Sequence, residues 1–443
     1  MSTSKEKSLP LGIYKNVYNE RVRGRFGIKE FLNILFLTLW SCLFFSGLIW
    51  MFQLAVFGAK PLSVHIPLVV FLGVIILFII YRGKILRDPI AVVWSSLFLL
   101  CFLSALASAL LIKKDNLNMK DAILLAVTPT LYYFLVALVA GSAIQLPKRL
   151  SNIFIILFSF IAICTAMYQS IGGYSGFMLS YMRLVGSGNY MFYGLTRPIS
   201  IFTEIGSYGF FIAFISGAVL WLLLKTQGVL SRISYSLLFI SLSVLEYFSF
   251  TRSGYVMFVM ICLFIVFFYY FRRFAKYTPI FSLFFGLFLY FGAPIISGIT
   301  RELFSHITSD QSVYTRYNEA FIFLKYVFEN PYFVFFGPGI RASYLITKGI
   351  YIDNTYLNML VSSGFFGLLI YIAAFTLLWL RLFRLAQKEP TPLRLAIAAY
   401  VGAWPCVGFF AVDNSYLLIS VLGLALAPGS SVINNKARTW NAA

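Results

Sequence analysis

Charge is scarce in this sequence. Asp, Glu, Lys and Arg make up 11% of its 443 residues, against roughly 25% in soluble domains. Hydrophobic residues reach 60% and the mean hydropathy is +0.86. No soluble fold of this length hides so much apolar surface, so the solvent of this chain is lipid. Histidine is nearly absent. His65 and His306 have no companion at metal-ligand spacing and read as non-metal residues. The five cysteines (Cys42, Cys101, Cys164, Cys262 and Cys406) all fall inside apolar segments. They are spaced neither for a metal nor for a disulfide framework, and read as small core hydrophobes. The Gly-x-x-x-x-Gly-Lys loop that cradles nucleotide phosphates is missing, and no carboxylates cluster as a divalent ion requires. Any chemistry is therefore expected to be metal-free, cofactor-free and independent of ATP. Repeats and low-complexity tracts are absent. The basic, polar first 30 residues precede a long apolar run, which argues against a cleaved signal peptide.

What the chain does have is aromatic bulk and a one-sided charge. Phe (48) and Tyr (28) dominate, as suits lipid-facing and interfacial positions. The net charge of +20 does not point to nucleic acid, because no continuous basic and aromatic stripe exists. Instead, short basic runs separate apolar stretches of spanning length, about 20 residues each. The spans are expected near 31–51, 66–81, 90–112, 122–142, 153–171, 205–224, 233–250, 254–271, 279–298, 355–380, 395–412 and 416–430. This is an all-α polytopic membrane protein with about 12 transmembrane helices. Residues 1–30 form a basic N-terminal segment, 31–430 a single transmembrane domain, and 431–443 a C-terminal tail. With both termini inside, the cytoplasmic segments hold 23 of the 35 basic residues and only five of the 15 acids. The opposite orientation inverts that bias, so the positive-inside rule places both termini in the cytoplasm.

Two larger outer loops follow, 172–204 and 299–354. Within the second, Val313, Tyr317, Ala320, Phe321, Leu324 and Phe328 recur at helical spacing. This predicts an interfacial helix over 311–330, apolar face down, that stops at Glu329-Asn330-Pro331. The outer arginines are Arg183, Arg197, Arg252, Arg301, Arg316 and Arg341. Guanidinium is always charged and forks onto phosphate oxygens. Arg252 lies in the short break between two apolar helices, where a charge is expensive. It either pairs with Glu246 at the interface or binds a lipid phosphate. Glu204, at the head of the sixth span, is either a general base or a favourable partner for the helix dipole. Asp353 and Asn354 precede the tenth span. They either cap it or face a sugar hydroxyl in the outer cavity, Asp353 then taking its proton.

Arg-Pro-Ile-Ser-Ile-Phe-Thr-Glu (197–204), Phe-Thr-Arg-Ser-Gly (250–254), the Arg316 helix with Glu-Asn-Pro, Gly-Pro-Gly (337–339) and Asp-Asn-Thr-Tyr-Leu-Asn-Met-Leu-Val-Ser-Ser-Gly-Phe-Phe-Gly (353–367) occur in this order. Across roughly 170–370 the pattern resembles the O-antigen polymerase and ligase superfamily, specifically Wzy-type polymerases. The resemblance implies a GT-C-like helical fold in the bacterial inner membrane. It implies a glycosyltransferase that joins oligosaccharide units carried on undecaprenyl pyrophosphate at the outer face. A chain-length regulator protein is a candidate partner. By this analogy Arg252, Arg316 and Arg197 are pyrophosphate ligands, and Asp353 or Glu204 is the base. Arg183, Arg341 and Asn354 are further substrate contacts. Asp353 stands where ligase relatives have His before Asn, which favours a polymerase over a ligase. Some Wzy polymerases carry Arg-x10-Gly in both outer loops. Arg183 and Gly194 have that spacing, and the second loop has no match. The rivals are the ligase, which moves finished polymer to lipid A core, and a polysaccharide-lipid transporter or flippase.

Overall fold

The computed structural model describes residues 88–111, 148–173, 191–192, 195–196, 205–249, 251–300, 331–337 and 354–409, with isolated positions such as Tyr133, Phe321, Lys325, Phe328 and Glu329. Nine α-helices lie among the described residues: α1 (Pro89–Leu111), α2 (Lys148–Gly172), α3 (Ile205–Lys225), α4 (Val229–Ser249), α5 (Arg252–Tyr270), α6 (Thr278–Thr300), α7 (Pro331–Phe336), α8 (Thr355–Lys388) and α9 (Pro392–Val407). A two-residue ribbon, β1 (Met191–Phe192) with β2 (Leu195–Thr196), pairs antiparallel between α2 and α3. Four helices (α3, α4, α5 and α8) are long and apolar enough to cross a membrane. The chain is a helical membrane protein. The expected spans at 31–51, 66–81 and 416–430, most of 122–142, and the segments 1–30 and 431–443 lie outside the described residues.

Helix α9 is the hub, packed on α3, α5, α6 and α8. From Leu393 to Val407 every residue except Pro405 is buried, as expected of a helix apolar on all sides. Its small residues, Ala396, Ala398, Ala399, Gly402 and Ala403, admit close neighbours. Association in lipid rests on such packing, since lipid tails offer no hydrophobic drive between helices. Pro405 does not end the helix. The Ser282 hydroxyl of α6 donates to the Ala403 carbonyl at 2.9 Å and accepts from the Cys406 N–H at 3.0 Å. A side chain thus re-satisfies backbone groups that a proline disturbs. Around the hub sits an aromatic lattice: Trp404 donates its indole N–H to the Tyr371 hydroxyl at 2.8 Å, and Phe210 meets the Trp404 ring edge-on.

One end of the bundle gathers charge. Arg381 of α8 pairs with Asp88 ahead of α1, and Arg394 of α9 pairs with Glu389 at 2.6 Å. Arg272, just past α5, donates to the Gln387 carbonyl. Lys225 and Arg232, at the junction of α3 and α4, mark the same end. Thr391 caps α9 by accepting from the Arg394 N–H at 3.3 Å. We call this the basic end. Helix α8 runs to Lys388, eight residues beyond its expected stop at 380, because the first arginine marks the headgroup region and not the end of the helix. The charged last turns simply stand proud of the apolar layer.

Two features depart from the expected loops. Helix α8 is broken at Gly364 (φ 69, ψ −171). Facing it is Gly337 (φ 66), which follows α7. A side chain on either glycine would strike the other segment's backbone, so two left-handed residues interlock where only glycine fits. The Ser104 hydroxyl of α1 donates to the Phe336 carbonyl at 2.8 Å. Pro331 opens α7, a helix not expected from the sequence, because its missing N–H costs nothing in a first turn; it is a separate element from the helical Phe328 and Glu329 before it. Part of the expected outer loop 299–354 is therefore packed against α8, about ten residues along it. Phe321, Lys325, Phe328 and Glu329 of the predicted interfacial helix are helical, and both phenylalanines are exposed. Lys325 and Glu329 pair across one turn at 3.9 Å.

Candidate functional site

The end opposite the basic one is traced by contacts between helix termini. Gly209 near the start of α3 abuts Gly254 near the start of α5. Phe210 touches Trp404 near the end of α9. The Thr355 N–H at the start of α8 donates to the Gly408 carbonyl just past α9 at 2.8 Å, and the Tyr356 hydroxyl donates to the Pro405 carbonyl at 3.0 Å. The heads of α3, α5 and α8 and the tails of α4 and α9 therefore share this far end. Among the described residues of these five helices, Arg252 is the one cation there; the others sit at the basic end.

The hairpin between α4 and α5 is short. Ser249 ends α4, Thr251 is extended (φ −106, ψ 116), and Arg252 is the first residue of α5. Thr251 makes no side-chain cap bond. Its hydroxyl instead shares a 2.9 Å bond with the Ser249 hydroxyl. The Tyr255 hydroxyl closes the turn by donating to the Tyr247 carbonyl at 2.5 Å. On α4 the buried residues are Leu242, Leu245, Glu246 and Ser249, a stripe at three- and four-residue steps that faces α3 and α5. Leu230, Ile233, Leu237, Ile240, Val244 and Tyr247 of α4 are exposed, as large side chains on a lipid-facing edge helix should be.

Glu246 lies on that stripe, 2% exposed. Neither carboxylate oxygen has a hydrogen-bond partner among the described residues, and neither does the buried Tyr208 hydroxyl of α3. The pairing of Arg252 with Glu246 considered from sequence does not occur. Arg252 opens a new helix and is exposed, whereas Glu246 points into the bundle. Six residues apart across a helix end, one side chain is exposed and the other buried. Arg252 is thus placed where its fork of donors can meet a headgroup or phosphate.

Asn354, expected either to cap α8 or to touch substrate, is its N-cap: its side-chain oxygen accepts from the Leu357 N–H at 3.1 Å. Arg183, Arg197, Glu204, Arg316, Arg341 and Asp353 lie outside the described residues. Of the sequence-derived set, Arg252 and Asn354 are thus placed, both at the far end. Sequence reasoning missed Tyr208, Ser249 and Thr251. The signal was present as two glycines, 209 and 254, beside hydroxyl residues in neighbouring helices, since small residues mark close crossings in membranes. Among the described residues no group of three or more His, Cys, Asp or Glu gathers as a metal site.

No protein-family model and no curated protein matches the chain.

Proposed function

We propose that this protein is a Wzy-type lipid-linked oligosaccharide polymerase, a GT-C-like enzyme of about 12 spans in the bacterial inner membrane with both termini cytoplasmic. In this reading the far end faces outward. The growing chain leaves its undecaprenyl pyrophosphate carrier and joins the end of a newly presented lipid-linked unit. Developing charge on the departing pyrophosphate is met by Arg252, Arg316 and Arg197, since preorganised donors act best where charge appears. Asp353 or Glu204 takes the proton of the attacking sugar hydroxyl. No nucleotide is required, because the donor is already activated.

The observation that carries the reading is Arg252: an exposed guanidinium at the head of α5, making no ion pair with the buried Glu246, and the one cation at this end among the described residues of the five helices. A pyrophosphate on a polyprenyl tail presents its charge at such a level. The test is the polysaccharide ladder made by membranes supplied with lipid-linked repeat units. Arg252→Ala is expected to lower polymer yield on the order of 10²-fold, the usual loss of a charge-stabilising donor, with membrane insertion unchanged. Arg252→Lys retains a charge without the fork and falls between. Wild-type ladders from Arg252→Ala would remove the ligand on which the mechanism rests. Asp353→Asn and Glu204→Gln, compared in the same assay, name the base.

A second reading is a polysaccharide-lipid transporter. Two observations favour it: the break in α8 at Gly364 and the buried Glu246, which has no hydrogen-bond partner among the described residues. Broken helices and embedded charges are habits of secondary transporters. A deletion strain that accumulates unpolymerised units on the outer face supports the polymerase; units trapped on the inner face support the carrier.

A further inference from the structure

Glu246 brings an acidic group into the apolar layer with nothing among the described residues to answer it. Both carboxylate oxygens and the Tyr208 hydroxyl are buried and unpartnered, although the tyrosine lies close enough to feel the glutamate's charge. Tyr208 directly precedes Gly209, whose bare face meets Glu246 Oε1, and the carboxyl and the phenol make no hydrogen bond to each other. A third oxygen converges on the same spot. A methyl group added to Gly254 would press on both the Thr251 hydroxyl and Glu246 Oε1; one added to Gly209 would meet the Thr251 hydroxyl at 2.5 Å and Glu246 Oε1 at 3.3 Å. The two bare glycine faces, one from α3 and one from α5, are what make room for these oxygens. Ser249 holds the Thr251 hydroxyl from behind at 2.9 Å.

The carboxylate, phenol and hydroxyl are hard oxygen donors, which suit hard cations over soft transition metals. Among the described residues the set contains one carboxylate. A divalent ion bound there would leave a positive charge uncompensated in the apolar layer, and such ions take more carboxylates than this. One monovalent cation cancels the charge, and an uncompensated charge at this depth is costly. We propose that Glu246, Tyr208 and Thr251 form a binding site for a sodium-sized monovalent cation at the crossing of α3, α4 and α5. The site knits together the three helix ends from which Arg252 projects. It requires neither the polymerase nor the carrier reading.

The experiment uses the full-length protein purified in detergent. Equilibrium binding of radioactive sodium is measured, together with thermal unfolding in NaCl, KCl or choline chloride at equal ionic strength. Saturable binding of about one sodium per chain is expected, with a melting temperature raised by NaCl above KCl and choline. Glu246→Gln should abolish both effects. Thr251→Val and Tyr208→Phe, each removing one hydroxyl, should weaken binding about tenfold, the loss of about 1.4 kcal/mol. Thr251→Val carries the same test if Glu246→Gln does not fold. The proposal is overturned by absence of saturable sodium binding to the wild type, by equal melting in all three salts, or by sodium binding that survives Glu246→Gln. A melting temperature that follows pH and ignores sodium equally defeats it, since the group then answers to protons alone.

Discussion

The two ends of the bundle treat their carboxylates in opposite ways. At the basic end Asp88 and Glu389 each meet an arginine, Arg381 and Arg394, and each pair joins chain segments that must stay together. At the far end Glu246 is more deeply buried than either acid and meets no arginine among the described residues, although Arg252 follows six residues later. Burying a charge without a partner costs more than any surface pair returns. A fold shaped for stability alone would place the paired acid inside and the lone acid at the surface. The basic end is therefore the fastened end, where ion pairs and caps fix helix register. The far end spends stability on a group that has other business. Strain and unanswered polarity collect where proteins act.

The strongest way to break this contrast is to fill the space that the far end keeps open. Gly254→Ala adds a methyl group that collides with the Thr251 hydroxyl and Glu246 Oε1, and Gly209 backs both from the facing helix. Overpacking of this kind costs up to about 3 kcal/mol. The expected outcome is a clear drop in melting temperature of the purified protein, with loss of polymer in the same preparation. Tolerance of alanine at Gly254 would mean that α3 and α5 are not held at this distance.

A pair of glutamate substitutions sharpens the comparison directly. Glu389→Gln deprives Arg394, whose side chain is 9% exposed, of its carboxylate near the start of α9, where the helix dipole already disfavours a cation. A cost of about 2 kcal/mol follows, within the range for hydrogen bonds to charged groups. Glu246→Gln, measured in sodium-free buffer, strands no cation and should leave the melting temperature unchanged or higher. The two variants remove the same charge and differ only in what they leave behind. Equal losses from both would mean that Glu246 has a partner after all.

This contrast was only half legible in the sequence. Hydropathy located α3 within a residue at each end, because Glu204 and Lys225 bracket an unbroken apolar run. It placed α4 four residues late, since Arg232 in its first turn looked like loop. Glu246 stood out as a charge, but its direction did not. That depends on helical phase, which puts residues 242, 245, 246 and 249 on one stripe, and on the hairpin, which turns Arg252 away from it. The break at Gly364 had a local cue in Ser-Ser-Gly, a composition that kinks helices. The docking of α7 had none, because Gly337 and Gly364 lie 27 residues apart and meet only through tertiary packing. The ribbon at 191–196 was missed although Tyr193-Gly194 joins its strands, and glycine in a two-residue connection is a hairpin cue. Of the arginine cluster implied by the family resemblance, Arg252 alone lies among the described residues.

The smallest effect belongs to the outermost fastening. The Arg381 and Asp88 side chains are 35% and 18% exposed, so water and salt screen their attraction and two side chains lose freedom to form it. Exposed pairs of this kind contribute about 0.2–1 kcal/mol. A double-mutant cycle of Asp88→Asn and Arg381→Gln, read by thermal unfolding, should give a coupling in that range that shrinks as salt rises. Helix α1 also packs along α8 independently of the pair, so neither single variant should detach it. A coupling well above the range would mean that the pair sits in a drier setting than its exposure indicates. The basic end would then hold α1 by charge and not by packing, and the distinction between a fastened end and a working end would rest on the Glu389–Arg394 pair alone.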